Sequence, residues 1–269
     1  MAVGKAEKAA FNDEIKDITR SIEEYYKKVR EIEVKKKKMQ NIEGYYNIEK
    51  ADFLMKIISL YIKMNDLSLE MLRIKNEKFL NEARKEFYKV LQAMESVVGS
   101  DIDRSLKEND SYLEKIDRFN PQQILDMVRK INDAFNDLRF KVGENSKWKW
   151  SFVELQARSA IITKNITSFS DIAKLRDPRT KYYYERRELM QICKDALAEA
   201  AKQYRTKYEL SGKSRDDLSK SIELLSALRK IHVLFGESDE ANKLKMTIDA
   251  LNQNLEAEDA AKEKKKIKN

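Results

Sequence analysis

The residue types that do most protein chemistry are scarce in this chain and poorly spaced for it. There is one histidine, His232, and one cysteine, Cys193. Zinc sites of the His/Cys type take three or four such ligands, so they are close to excluded. His232 sits beside an apolar helical seam and reads as a structural or surface residue rather than a ligand or base. Cys193 falls among Leu189, Ala196, Leu197 and Ala200. That setting reads as a buried, inert thiol, since a nucleophilic thiol needs an electropositive, accessible one. Carboxylates number 46, but most stand at helical spacing near Lys or Arg. A carboxylate-bridged di-metal bundle would need Glu-x-x-His pairs, which one histidine cannot supply. Six scattered glycines cannot build a phosphate loop, a dinucleotide fingerprint or a nucleophile elbow. The expectation is therefore a non-enzyme with no catalytic residue, no metal site and no cofactor.

Two groups of residues have the types needed for binding. The first is the run Lys35, Lys36, Lys37 and Lys38. It could meet an anionic surface such as nucleic acid, acidic protein or lipid headgroups. It could equally be a solvated helix end, where cations favour the C-terminal dipole. The second is the segment 147–194, with eleven Lys and Arg against five Asp and Glu. This surplus of six is most of the chain's net charge of +8. The segment holds both tryptophans, Trp148 and Trp150, then Tyr182, Tyr183 and Tyr184, then Arg186 and Arg187. On one helix Trp148 and Trp150 would point roughly 200° apart, and three consecutive tyrosines would sweep roughly 300°, so some of these rings cannot reach one core. Tyr, Trp and Arg are enriched at protein-interface hot spots. Basic residues interleaved with aromatics also suit single-stranded nucleic acid, but no nucleic-acid-binding signature accompanies them. A protein interface is the favoured functional reading, against a bundle core with solvated charges.

The elements that would position these residues are helices. Glycine and proline together make up about 3% of the chain, where average usage is roughly 7% and 5%. Charged residues are 37% and hydrophobic ones 42%, a balance that suits long amphipathic helices rather than disorder. No stretch approaches the ~18 apolar residues of a membrane span, and no signal-peptide h-region opens the sequence.

Phe11, Ile15, Ile18, Ile22, Tyr25, Val29 and Ile32 follow 4-3 spacing, the coiled-coil seam. This predicts a helix from about residue 5 to about residue 41, with Lys36 at the next seam position and a break or kink at Gly44. A second helix is expected from about residue 46 to 98, either unbroken in an elongated molecule or kinked near Asn65 or Asn76. A third carries Ile102, Leu106, Leu113 and Ile116. Asn120-Pro121 with Gln123 reads as a capping box opening a fourth helix that stops at Gly143. A fifth starts near Ser146 with Trp148 on its seam, and Asp177-Pro178 closes it and opens a sixth. Ser214 with Asp217 reads as a capping-box variant, and Ser238 starts the last helix. No period-2 run appears. The expected fold is an all-α, elongated helical bundle of about 7–8 helices. Residues 1–99 would form a long coiled-coil arm, 100–256 a bundle, and 257–269 a disordered charged tail.

These features favour a structural or assembly protein acting through protein–protein contacts, possible self-association included. The alternative is a basic coiled-coil binder of nucleic acid or an anionic membrane surface. The Lys-, Ile- and Tyr-rich long helices, the Lys35 to Lys38 run and the Trp148–Trp150 region resemble the all-helical accessory proteins of spirochaetes. They resemble most the flagellar-coiling proteins that sheath the periplasmic filament. That resemblance implies a periplasmic sheath subunit packing on a flagellin core and on other sheath subunits, and a mature chain without its leader. Otherwise the chain would be cytoplasmic.

Overall fold

The computed structural model describes residues 4–39, 42–170 and 172–268. Among them are nine α-helices and no strand. In chain order these are α1 (Lys5–Lys38), α2 (Glu43–Leu72), α3 (Glu77–Val98), α4 (Asn109–Leu113), α5 (Pro121–Val142), α6 (Lys149–Ile166), α7 (Tyr183–Leu210), α8 (Arg215–Phe235) and α9 (Ser238–Lys268). The fold is all-α, with neighbouring helices packed on one another as in a bundle. The chain divides into two compact units. The first is Met1–Ser100 with Ser111–Leu155, and the second is Asp101–Asp110 with Gln156–Asn269. The boundaries differ from those drawn on the sequence at 99 and 256. The first three helices share their unit with α5 and the start of α6.

In the first unit the 4-3 seam of α1 is buried against its own chain. Phe11, Ile18, Ile22 and Ile32 are buried and the other seam residues half-buried. The expected end near Asn41 lies outside the described residues, as do Met1 to Val3. The chain folds back, so that α1 packs on α2 and α2 on α3. Gly44 lies in the first turn of α2, where a Cβ would stand 2.9 Å from Ile116 Cγ2 and 3.2 Å from the Lys115 carbonyl. Tyr45 continues that contact: its hydroxyl donates to Asp117 Oδ1 at 2.8 Å, and its ring stacks on Phe119 with centroids 5.6 Å apart.

The expected long helix 46–98 is two helices. Arg73 adopts the left-handed conformation at φ 57°, and Asn76 caps α3 by accepting from the N–H groups of Lys78 and Phe79. Buried Asn65 accepts the Asn76 N–H at 2.9 Å, and the Ser68 hydroxyl donates to the Ile74 carbonyl at 2.8 Å. Both asparagines suspected of a kink thus hold a tight turn, because their amide oxygens satisfy backbone donors that a broken helix leaves free. The core of the unit is Ile57, Ile58, Leu80, Phe87, Leu91 and Met94. A run of tilted rings continues it from Phe87 to Phe135 to Phe152.

The expected third helix is broken into a 3-10 turn at Leu106–Glu108, the short α4, and a second 3-10 turn at Glu114–Ile116. Asn120 and Gln123 form the expected reciprocal capping box of α5, with both bonds at 3.0 Å. The equivalent reading of Asp177-Pro178 fails. Asp177 accepts from Arg179 N and Thr180 N in a local turn, and α7 begins only at Tyr183. Ser214 makes no side-chain cap. Asp217 instead bonds Lys207 at 2.6 Å, where it ties α8 to α7.

In the second unit α7 packs on α8 and α8 on α9. Leu218, Leu251 and Leu255 form one buried cluster with Tyr208, Ile222 and Leu225 against it. The apolar pattern ends at Leu255, and α9 continues to Lys268 through the segment expected to be a tail.

Candidate interaction surfaces

The four lysines at the end of α1 are not one patch. Lys36 turns inward to the seam position the spacing assigned it. Its ammonium donates to Asn47 Oδ1 at 3.0 Å and pairs with Glu43 at 3.3 Å and Glu33 at 3.9 Å. Glu33 also holds Lys50 at 2.6 Å. That hydrogen bond, with the nearby lysines, keeps the Glu33 carboxyl below its ordinary range despite partial burial. Lys36 is therefore part of the α1–α2 joint. Lys35, Lys37 and Lys38 remain exposed on the last turn, where they complement the negative end of the helix dipole.

The aromatic residues of segment 147–194 fall in different units. Trp148 and Trp150 belong to the first, and both are half-buried. Trp148 lies in the turn before α6, not on a helical seam. The Ser151 hydroxyl donates to its carbonyl at 2.8 Å. The Arg84 guanidinium stands 5.6 Å and the Lys147 ammonium 4.7 Å from its ring centroid. Arg84 also covers Tyr88, and Lys147 pairs with Glu77 at 2.8 Å. Trp150 is covered by Lys149 at 4.8 Å. Cation–π contacts of this kind contribute about 0.5–1 kcal/mol at exposed sites, so they fix the rings in place more than they stabilise the fold.

Tyr182, Tyr183, Tyr184, Arg186 and Arg187 open α7 in the second unit. Tyr182 is left-handed at φ 62°, so the three tyrosines do not share one helical sweep. Arg186 is turned back, donating to the Lys181 carbonyl. Tyr183 and Tyr184 meet edge to face with centroids 5.2 Å apart, and Arg187 stands over Tyr183 at 5.8 Å. Tyr184 is 75% exposed, a large aromatic surface left open to solvent. The assembled surface is therefore Tyr183, Tyr184 and Arg187.

Charge counting along this segment overstates its solvated charge. Lys164 is fully buried, donating to the Arg104 carbonyl at 3.1 Å and to Asn165 Oδ1 at 3.3 Å. Burial, with the Arg104 charge, lowers its ammonium to about 8. Cys193 is buried as expected, and burial raises its thiol to about 12. A thiol so raised is a poor nucleophile at neutral pH. Lys194 is spent on Glu237, and His232 Nδ1 meets the same carboxylate at 2.5 Å. Sequence reasoning passed over this trio. Lys194 lies 43 residues before Glu237, and the turn at Gly236 brings Glu237 back onto α7.

No helix among the described residues is long and apolar enough to cross a membrane, and no cluster of metal-ligating residues occurs among them. The molecule is an all-α helical-bundle protein with an exposed aromatic–arginine patch on its second unit. The chain belongs to the TP0443 family, a spirochaete family whose model matches residues 7–259. No curated protein matches it.

Proposed function

We propose that this protein is a structural subunit that works through protein–protein contacts, associated with the periplasmic flagellar filament of a spirochaete as part of its sheath. The observation that carries the reading is the patch of Tyr184, Tyr183 and Arg187. Two rings and a guanidinium stand against one another, and the outermost ring is 75% exposed. Tyr has few rotatable bonds and loses little side-chain entropy on docking, and Tyr and Arg are enriched at interface hot spots. The family's spirochaete character supports the same reading. Of the four-lysine run, Lys36 is engaged inside the chain, which weakens the competing anionic-surface reading.

Co-sedimentation of the purified chain with isolated periplasmic flagellar filaments tests it. Binding should survive a rise from low to physiological salt, because an aromatic anchor does not depend on released counterions. Binding should drop about tenfold or more in Tyr184→Ala, since a hot-spot truncation costs at least about 2 kcal/mol. Absence of co-sedimentation, or equal binding by the variant, would refute the proposal.

A further inference from the structure

A cleft of about 480 Å³ opens in the second unit. It is framed by Leu175 and Arg176, by one face of α7, and by the turn between α8 and α9. Its volume lies within the roughly 300–1,000 Å³ of small-molecule sites. The apolar part of the lining is Leu175 and Met190, both buried, with Phe235 half-buried. The rest is charged or polar: Arg176, Arg187, Lys194, Gln191, Glu188 and Glu237.

These charges divide unevenly. Lys194 gives its ammonium to both oxygens of Glu237, at 2.6 and 2.7 Å, so that pair is closed on itself. Gln191 donates to Asp195 at 2.8 Å. The two arginines are different. Arg176 makes one long bond, 3.5 Å, to the Phe235 carbonyl. Arg187 makes one of 3.5 Å to the Tyr183 hydroxyl, besides standing over that ring. Among the described residues neither pairs with a carboxylate. A guanidinium has five N–H donors, so most of each fork is unused.

We propose that this cleft binds a small organic carboxylate. Arg176 and Arg187 would hold the head, and Leu175, Met190 and Phe235 would take the hydrocarbon body. The guanidinium fork matches a carboxylate in two parallel hydrogen bonds. A phosphate would leave the apolar lining wet. The inference does not rest on filament association, and its readout is separate.

The test is calorimetric titration of the full chain with hexanoate, hexan-1-ol, inorganic phosphate and N-acetyl-leucine. Hexanoate should bind saturably, with hexan-1-ol at least about tenfold weaker, the effect of roughly one lost charged hydrogen bond. Arg176→Met and Arg187→Met should each weaken hexanoate by about tenfold or more. Both side chains are exposed, so folding should survive, with circular dichroism as the check. Arg176→Lys and Arg187→Lys keep the charge and lose the fork, so they should also bind more weakly than the parent. Tighter binding of N-acetyl-leucine would identify the head group as a peptide C-terminus, and tighter hexanoate as a free alkyl acid; either supports the site. No saturable carboxylate binding, phosphate equal to hexanoate, or folded arginine variants with unchanged affinity would overturn it.

Discussion

Lys194 on α7 grips both carboxylate oxygens of Glu237, the residue just past the Gly236 turn, at 2.6 and 2.7 Å. His232, one turn back on α8, meets the same carboxylate. Gly236 makes this possible. At φ 71° it reverses the chain at the end of α8, in a region where other residues are strained. One side chain thus joins α7, α8 and the start of α9.

The joint makes a prediction in acid. Burial alone would raise the Glu237 carboxyl, but hydrogen bonds from Lys194 and His232 outweigh it and hold it below the ordinary 4.5. A carboxyl depressed on folding stabilises above its unfolded value and loses that contribution as pH falls through the folded value. Glu237→Gln should therefore cost about 1 kcal/mol at pH 7, a figure kept small because the carboxylate is partly solvated. The cost should vanish well below pH 4.5. Urea unfolding at pH 7 and in acid measures both limits, and a cost that persists in acid would refute the assignment.

Lys164 carries the opposite sign. Its ammonium is fully buried and meets only neutral oxygens at hydrogen-bond distance, those of Arg104 and Asn165. Folding lowers it from 10.5 to about 8. Between those values the unfolded chain binds the extra proton, so stability rises with pH across that window. The buried charge opposes folding by on the order of 3 kcal/mol at neutral pH. Lys164→Met should accordingly be more stable than the parent at pH 7, as found when buried ions are replaced by apolar residues of similar size. The gain should shrink as pH climbs from about 8 to 10.5. Equal pH profiles of the two proteins would show that the amine is not the titrating group.

In the first unit the hydroxyl of Tyr26 on α1 donates to Glu86 on α3 at 2.7 Å, and Lys89 reaches the same oxygen at 2.7 Å. Glu86 is buried, and its second oxygen has no partner among the described residues. Burial, reinforced by the Glu86 charge, drives the Tyr26 phenol far above its ordinary value. Tyr26→Phe should cost about 1–3 kcal/mol, because it leaves a buried carboxylate short of a donor. With Glu86→Gln in a double-mutant cycle, the two changes should couple by about 1 kcal/mol or more. Simple additivity would mean that the hydroxyl contributes nothing specific.

The helical plan could be read from the sequence wherever one physical rule acted alone. The 4-3 seam from Phe11 to Ile32 needed only periodicity. The Asn120–Gln123 box needed only the reciprocal geometry of a helix start. Asp177-Pro178 is a similar pair, but Thr180 stands where the box needs Gln, and the Asp177 side chain bonds its own turn, a competition that spacing does not reveal. The candidate surface was legible in composition only. Tyr184 is exposed as the crowding of three tyrosines implied, yet Lys36, Lys164 and Lys194 are drawn inside by Asn47, the Arg104 carbonyl and Glu237. Those partners lie 11, 60 and 43 residues away, and local pattern has no access to such pairings.

Gly44 is where α2 comes closest to the residues just before α5. By intrinsic propensity alone, Gly44→Ala should stabilise the first turn of α2 by roughly 0.5–1 kcal/mol. Packing opposes this. The new methyl would stand 2.9 Å from Ile116 Cγ2, a side chain that is itself buried, and 3.2 Å from the Lys115 carbonyl, which is backbone. Neither neighbour is the free end of a flexible chain, so relief requires the Glu114–Ile116 turn to shift. Overpacking of this kind costs about 1–3 kcal/mol, which exceeds the propensity gain. The net effect should be a loss of about 1–2 kcal/mol in urea unfolding. Ile116→Leu keeps the volume but has no Cγ2, so it should recover part of that loss in the double variant, although by itself it destabilises by up to about 1.5 kcal/mol. A stabilised Gly44→Ala protein, or a double variant showing no recovery, would mean that the close approach at Gly44 does not set the packing of α2.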